Sequence, residues 1–356
     1  MGVQLQGNPG IQGPASHNLQ LICVVLWQSV QPTIRWSLVQ TLVKDCLNPP
    51  SFKMPAFADQ KVHMKDPARV QQIVDCLISG GPKKLQVITD FDMTLTRFSN
   101  NGKRCSTCHN AIETCNLMTD EIKKQMAALK SKFYPIEINP NLSAEEKIPF
   151  MVNWWSKSHD LMVDMQIRKE QLAKVVQESD IQLRDGHTRF FEALHQLDVA
   201  VFIFSAGVGD ILEHVLNNAG AMRPNVQIVS NYMDFNEEGV LQGFKGELIH
   251  TYNKNESARS NAGYFERQRD CTNVILMGDS MGDVRMADGV PHVDNKLTIG
   301  FLNDKVEESL EKYMDLYDIV LVRDETLDLV NSILEELQKR TQADWAGEKS
   351  DTPSIV

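Results

Sequence analysis

The chain has 356 residues, of which 42% are hydrophobic and 23% are charged, and its formal net charge is −11. This balance is typical of a soluble globular protein with a core of ordinary size. The acidic balance argues against a nucleic-acid polymer as a partner, because a phosphate backbone needs clustered Lys and Arg. A small phosphate ester needs only a few local cations, so the charge does not exclude one.

The cysteines and the first 60 residues bear on the compartment in which the protein works. Seven cysteines without a secretory signal predict free thiols and a cytoplasmic protein. The apolar run Leu21–Trp27 is far shorter than the roughly 20 residues that a membrane-spanning helix needs. We therefore expect no stable membrane insertion, and we expect residues 1–60 to be a disordered N-terminal extension.

The folded part is predicted to begin with a helix at Pro67. Asp66 is a typical N-cap residue, and proline favours the first helical position. Apolar residues then recur at helical spacing until Gly80–Gly81, where the pattern ends.

Four short apolar runs are predicted to be strands of one parallel sheet. Helical patterns separate them, which is typical of a parallel sheet covered on both faces. The runs are Leu85–Thr89, Val199–Phe204, Val226–Val229 and Val274–Met277, and one of the intervening helices is predicted at Asp210–Asn218. Three of these strands end at polar residues. Because open α/β sheets bind ligands at the carboxyl ends of their strands, one site is predicted there.

Two insertions interrupt this pattern. About a hundred residues lie between the first two strands, which is too many for a loop. Helical patterns around Asp120–Lys130, Ala144–His159 and Lys169–Leu183 predict a helical cap domain in that position. Glycines between β-prone runs in residues 231–250 predict a small β-hairpin insertion. The predicted division is core at 61–100, cap at 101–182, core again at 183–340, and a disordered tail at 341–356.

The central motif is Asp90–Thr94, which follows the first predicted strand and has acids at its first and third positions. A turn at the strand end can give the two carboxylates separate roles, one attacking phosphorus and the other moving a proton. A calcium-binding loop is excluded, because Leu95 replaces the required glycine and Asn101 replaces the final glutamate. Two solvated acids at the start of a loop are the plain alternative.

Two further motifs follow later strands. Gly278–Asp283 contains Asp279, whose carboxylate is suited to complete an Mg²⁺ site begun by Asp90. Phe204–Gly209 places Ser205 and free backbone N–H groups ahead of a helix, an arrangement that binds anions. Each motif is common alone, whereas the three in this order are specific.

This order of motifs resembles that of the haloacid dehalogenase-like phosphatases. The resemblance implies an α/β fold with a Rossmann-like parallel sheet core, an inserted helical cap and a β-hairpin insertion. It also implies a lysine between the second and last motifs, and Lys254 occupies that position. Longer matches resemble the cytosolic 5′-nucleotidase III family from about Asp66 to Leu337; they are Asp90–Leu95, Phe202–Gly207, Gly243–Gly246 and Met286–Val290.

The resemblance to this family implies an activity and a cofactor. Members hydrolyse nucleoside 5′-monophosphates to nucleoside and phosphate through an aspartyl-phosphate, with Mg²⁺ as cofactor. Asp90 is the implied nucleophile and a metal ligand, and Asp92 is the implied acid/base, which also binds the metal through its carbonyl. Asp279 is the third implied ligand, and Asp283 supports the metal site or orients Lys254. The implied phosphate-binding residues are Ser205, Ala206, Gly207 and Lys254.

The resemblance places the base-binding residues on the cap, at His109, Glu137, Trp155 and Ser158. Trp155 resembles the 7-methylguanosine-phosphate-specific branch of the family, whereas His109 resembles the pyrimidine-specific branch. The substrate is therefore CMP and UMP, 7-methyl-GMP, or both. A monomer is expected, with a small nucleotide as its partner.

Three other interpretations are weighed against the nucleotidase. Another phosphomonoesterase of the same superfamily, such as one acting on phosphoserine, has the same motif acids. An inactive binding protein would have no need to keep all of them. A zinc site at Cys105–His109 with Cys115 lacks a second ligand pair at the usual spacing, and zinc is not expected.

Overall fold

The computed structural model describes residues 54–139, 141–254 and 261–350. The predictions for residues 1–53 and 351–356 lie outside these ranges. Within them, the first predicted helix is confirmed as α1, Pro67–Gly80. The side chain of Asp66 accepts a hydrogen bond from the Arg69 backbone N–H at 3.0 Å, as an N-cap residue does.

The strands form a central sheet and two small antiparallel pairs. In chain order they are β1 (Val62–His63), β2 (Leu85–Thr89), β3 (Ser99–Asn100), β4 (Lys103–Arg104), β5 (Ala200–Val208), β6 (Val226–Asn231), β7 (Met233–Phe235), β8 (Leu241–Phe244), β9 (Asn273–Gly278), β10 (Asn295–Leu302) and β11 (Ile319–Val322). The central sheet has the order β1-β11-β10-β9-β2-β5-β6. Its neighbours run parallel except for β1, which is antiparallel to β11.

The helices lie between these strands. After α1 they are α2 (Cys108–Glu113), α3 (Asp120–Glu137), α4 (Ala144–Asp164), α5 (Leu172–Glu178), α6 (His187–Gln196), α7 (Gly209–Asn218), α8 (Ala262–Arg267), α9 (Val306–Leu316) and α10 (Asp328–Ser350). Helices α2 to α5 lie between β2 and β5 and are called the cap below. The capping box at Ser143 and Glu146 begins the longest of them, α4. No helix in the described ranges is long and apolar enough to cross a membrane.

The α/β fold with an inserted helical cap is confirmed. All four predicted strands are present, and β7 and β8 pair antiparallel as the predicted hairpin. Strands β10 and β11 were not predicted. The mostly apolar segment Leu297–Leu302 does indicate a strand at the position of β10. The buried core on the sheet includes Ile88, Phe202 and Leu276, so the central strands are covered as continuous apolar runs require.

The structure differs from the predicted termini. Helix α10 runs to Ser350, although disorder was predicted from residue 341. Its apolar face, which includes Leu334 and Leu337, is buried, and this packing supports the start of the tail as helix. Pro55–Ala58 form a 3-10 turn next to buried Met54, whose sulfur accepts a hydrogen bond from Ser332. The contact with α10 orders residues that were included in the predicted extension.

Candidate active site

Asp90 is the first residue after β2, and its position is fixed by the neighbouring strand. Its backbone N–H donates to the Met277 carbonyl at 3.0 Å, so the β2–β9 pairing holds the carboxylate at the edge of the sheet. One side-chain oxygen, Oδ2, accepts a hydrogen bond from Thr94 Oγ1 at 3.0 Å. The other, Oδ1, accepts one from Lys254 Nζ. Asp90 as a whole is only 5% exposed.

Lys254 is buried between two acids. Its Nζ donates to Asp90 and also to Asp283 Oδ1, at 2.7 Å. Burial lowers the pKa of Lys254, but the charges of Asp283 and Asp90 outweigh it and raise the pKa above its ordinary value. The ammonium group therefore stays charged beside the candidate nucleophile.

Three carboxylates converge where the resemblance implies a metal. Oxygens of Asp90, Asp279 and Asp283 lie within 4.8 Å of one another. Burial and the neighbouring negative charges raise the pKa of Asp279 well above its ordinary value, and burial is the main cause that raises that of Asp90 to about 7. One lysine cannot offset three acids, of which Asp90 and Asp283 are buried. Mg²⁺ prefers carboxylate oxygens, so the donor set and its excess negative charge fit this ion.

Asp92 faces a different neighbour, although it is only two residues from Asp90. Its Oδ1 accepts the Cys108 backbone N–H, at the start of α2, at 2.9 Å. Met93, the residue after Asp92, has a positive φ of 63° and begins the turn that follows the two acids. Burial raises the pKa of Asp92 to about 6, although hydrogen bonds from Cys108 lower it in part. A carboxyl of this kind can hold a proton near neutral pH and release it.

Arg184 supports the turn that carries these acids. Its guanidinium is completely buried and donates to the Thr94 carbonyl at 2.7 Å and to the Met93 carbonyl at 2.5 Å. It also pairs with Glu325 at 3.2 Å. Arg184 was not predicted from the sequence, because an arginine next to an aspartate is typical of an exposed position.

Ser205 lies where β5 departs from regular pairing with β6. The register shifts between Phe204 and Val208, so the backbone of Ser205–Gly207 is freed from the ladder and turns toward Asp92. Ser205 Oγ accepts the Gly207 N–H at 3.0 Å. A Cβ at Gly207 would lie 2.8 Å from Asp92 Oδ2, so glycine allows this approach without displacing the Asp92 carboxylate.

A cavity of about 310 Å³ joins all of these groups to the cap. Every sequence-predicted site residue contributes to its wall: Asp90, Asp92, His109, Glu137, Trp155, Ser158, Ser205, Ala206, Gly207, Lys254, Asp279 and Asp283. A larger cavity of about 890 Å³ beside α1 and α9 contains none of them. The wall also includes residues that were not predicted, because no local sequence pattern indicates that they belong to a site. They are Arg104, Asn110, Glu113, Lys130, Tyr134 and Thr251.

The cap end of the cavity is aromatic. Trp155 donates its Nε1–H to the Ala206 carbonyl at 3.3 Å and lies edge-on to His109, with ring centroids 6.0 Å apart. Burial lowers the pKa of His109 to about 4, so its imidazole is neutral. Burial raises the pKa of Glu137, whose carboxylate accepts a 3.4 Å hydrogen bond from Thr251. An aromatic ring, a neutral imidazole and a carboxyl group thus line the same end of the cavity.

The chain matches a family of known enzymes. The model of the pyrimidine 5′-nucleotidase (UMPH-1) family matches residues 93–338. A human protein named 7-methylguanosine phosphate-specific 5′-nucleotidase is 55% identical over 276 residues, which are 78% of this chain and 92% of the human protein. A Drosophila melanogaster protein of the same name is 35% identical over 289 residues, 81% of this chain and 90% of that protein.

A solved structure gives an independent comparison. The crystal structure of cytosolic 5′-nucleotidase IIIB bound to cytidine aligns with a TM-score of 0.72 at 34% identity. The alignment covers 82% of this chain and 98% of that one. The chain therefore belongs to the UMPH-1 pyrimidine 5′-nucleotidase family and is an enzyme of the 5′-nucleotidase class.

Proposed function

We propose that this enzyme hydrolyses nucleoside 5′-monophosphates, with 7-methyl-GMP and CMP as substrates, through an aspartyl-phosphate on Asp90. The observation that carries the proposal is the separation of two neighbouring carboxylates. Asp90 is bonded to Lys254 and Thr94, whereas Asp92 is bonded to the backbone of Cys108. This arrangement gives one acid the environment of a nucleophile and the other that of a proton carrier.

The first half of the proposed reaction transfers the phosphoryl group to the enzyme. An oxygen of Asp90 attacks phosphorus, and the bond from phosphorus to the ribose 5′ oxygen breaks. Protonated Asp92 gives its proton to that leaving oxygen, so the nucleoside departs with a neutral 5′ hydroxyl. Lys254 and the Ser205 hydroxyl donate hydrogen bonds to the phosphoryl oxygens, where negative charge is concentrated.

The second half releases phosphate. Asp92, now ionised, takes a proton from water, whose oxygen attacks phosphorus. The bond between phosphorus and Asp90 breaks, and the carboxylate is restored. A pKa near 6 suits Asp92 to both directions of proton transfer at neutral pH.

Mg²⁺ is the proposed cofactor, held by Asp90, Asp279 and the Asp92 carbonyl. When bound there, it supplies positive charge that offsets the repulsion between the phosphate dianion and the attacking carboxylate. Asp283 lies beside these ligands, and we assign it to orienting Lys254, which it contacts at 2.7 Å.

The proposed base site is the aromatic cap end of the cavity. Trp155 offers a face for stacking, and Glu137 offers a carboxylate to base N–H groups. A cationic 7-methylguanine suits both, because a tryptophan face and a carboxylate each attract positive charge. His109 and Ser158 complete the polar wall. The names of the relatives, and the cytidine bound to cytosolic 5′-nucleotidase IIIB, support these two bases. We also propose a cytoplasmic monomer.

A phosphate-release assay tests this function. Purified protein with Mg²⁺ is offered CMP, UMP, AMP, GMP, 7-methyl-GMP and phosphoserine, with and without EDTA. We expect release from 7-methyl-GMP and CMP, loss with EDTA, recovery with added Mg²⁺, and loss in Asp90→Asn. Release from phosphoserine alone would contradict the base site. Full activity in EDTA would contradict the proposed cofactor.

A further inference from the structure

Asn231 is a buried amide at the end of β6 that the proposed reaction does not use. It is 2% exposed. Its side chain makes three hydrogen bonds, which occupy both donors and one acceptor position of the amide. A buried polar group bonded this completely fixes the position of whatever it contacts.

The first contact of Asn231 is with the phosphate-binding loop. Its Nδ2 donates to the Ala206 carbonyl at 2.9 Å. Ala206 lies in the irregular part of β5, where the register shift removes the regular ladder partner. The neighbouring Ser230 hydroxyl bonds the next carbonyl, of Gly207, at 2.9 Å. Side chains from the end of β6 thus replace the missing backbone partners of the loop that carries Ser205.

The other two contacts of Asn231 are with the segment that leads to Lys254. Its Nδ2 donates to the Ile249 carbonyl at 2.8 Å, and its Oδ1 accepts the Ile249 N–H at 2.9 Å. The amide therefore pairs with Ile249 as a neighbouring strand would. From Ile249 the chain continues through a turn in which Asn253 Oδ1 accepts the His250 N–H at 2.7 Å. The next residue is Lys254.

We propose that Asn231 is a positioning residue that sets the distance between Ser205 and Lys254. One amide group holds the two backbone segments that carry the proposed phosphoryl-binding side chains. Asn231 is outside the wall of the active-site cavity, so it acts through those two segments and touches no substrate. The inference rests on the proposed roles of Ser205 and Lys254.

The test variant is Asn231→Asp, which keeps the size of the side chain. Its carboxylate still accepts the Ile249 N–H, but its second oxygen faces the carbonyls of Ala206 and Ile249 and repels them. We expect kcat to fall at least tenfold. We also expect inorganic phosphate to bind at least fivefold more weakly as a competitive inhibitor, because Ser205 and Lys254 no longer converge. Cytidine affinity should fall less than phosphate affinity, because Asn231 and the proposed base site share only the Ala206 carbonyl, which Trp155 also contacts.

Asn225→Asp is the matched control. The Asn225 amide donates to the Val199 carbonyl at 2.7 Å, at the opposite end of the same strand. Its replacement removes the same kind of bond but does not affect the segments that carry Ser205 and Lys254. We therefore expect kcat and phosphate affinity to remain within twofold of the wild type. If thermal melting shows that Asn231→Asp is unfolded, Asn231→Ala is measured at a temperature where it is folded, with the same expectations.

The possible outcomes separate this inference from the proposed function. Ser205→Ala and Lys254→Met are assayed in parallel, and full activity in both would overturn the proposed phosphoryl-binding roles. If both lose activity while folded Asn231 variants keep kcat and phosphate affinity, only the positioning role is overturned. An equal loss of phosphate and cytidine affinity would also overturn it, since that is the effect of a general disturbance.

Discussion

The Asp92 carboxylate accepts the Cys108 backbone N–H at 2.9 Å, which ties the candidate acid/base of the core to the first turn of a cap helix. His109, a wall residue of the base site, is the next residue along that helix. A base that settles against the cap therefore contacts the element that holds the proton carrier. In the proposed reaction, the proton transfer at phosphorus and the recognition of the base would therefore meet at α2.

Replacing Asp92 tests its assigned part in proton transfer. Asp92→Asn keeps an oxygen to accept the Cys108 N–H but has no titratable proton. We expect kcat for 7-methyl-GMP to fall about 10²- to 10⁴-fold, the usual contribution of a positioned acid/base. Steady-state kinetics measure this, with circular dichroism as the check on folding. A loss below threefold would show that another group moves the proton.

Replacing Trp155 tests base stacking. Trp155→Ala should weaken binding of 7-methyl-GMP by about 5- to 150-fold, because stacking of a base on an aromatic ring contributes about 1–3 kcal/mol. Trp155→Phe keeps a ring but loses the Nε1–H that bonds the Ala206 carbonyl. Its affinity for 7-methyl-GMP should therefore lie between those of the wild type and Trp155→Ala. Isothermal titration with the Asp90→Asn background, which cannot turn over, gives the affinities. Equal affinities in all three proteins would remove Trp155 from the base site.

The pair His109 and His159 predicts a loss of stability in acid. Their rings stack with centroids 5.8 Å apart, and burial lowers the pKa of His109 to about 4 and that of His159 to about 3. The unfolded chain takes up these protons near pH 6.5, whereas the folded protein does not. The contribution of these two histidines to stability is therefore complete above about pH 6.5 and is lost as the pH decreases toward 4, by a few kcal/mol in total.

Urea denaturation across this pH range measures the effect. His159→Phe keeps a ring for stacking on Phe244, whose centroid lies 3.6 Å away, and removes one titrating group. Relative to the wild type, its free energy of unfolding should therefore rise as the pH decreases from about 6.5 to 4, because one of the two histidine contributions is gone. The control His195→Gln changes an exposed residue and should keep the wild-type slope. If His159→Phe had the same pH dependence of unfolding as the wild type, His159 would not contribute to the loss of stability in acid.

Arg184 is predicted to be the most sensitive charged residue of the core. Arg184→Met leaves the carbonyls of Met93 and Thr94 without their donor and the charge of Glu325 without its partner. We expect a loss of about 3–5 kcal/mol in the free energy of unfolding. Arg189→Met, which removes exposed ion pairs to Asp328 and Glu335, should lose less than about 1 kcal/mol. Similar losses in both variants would contradict the role of burial.

The sequence was sufficient to predict the groups at strand ends. Asp90, Ser205 and Asp279 each lie at the end of a β-prone run, and parallel strands bring their carboxyl ends to one edge of the sheet. Arg184 and Asn231 could not be predicted, because their partners lie far along the chain and neither belongs to a periodic pattern. Arg184, for example, bonds the carbonyl of Thr94, 90 residues away. Their burial is a consequence of tertiary packing.

The helical tail was missed for a related reason. The polar residues after Arg340 have the composition of a disordered segment, yet they continue a helix whose preceding turns bury Ile333, Leu334 and Leu337. Packing at the start of a helix stabilises the turns that follow it, because extending a helix is easier than beginning one. Composition in a local window carries no such information.

Trapping the phosphorylated enzyme tests the central claim most directly. Wild-type protein is mixed with 7-methyl-GMP and Mg²⁺, quenched in acid within milliseconds, digested and analysed by mass spectrometry. We predict one phosphate on the peptide that contains Asp90, at its carboxylate, and none in Asp90→Asn. Turnover by Asp90→Asn at the wild-type rate, or phosphate on another residue, would contradict the account.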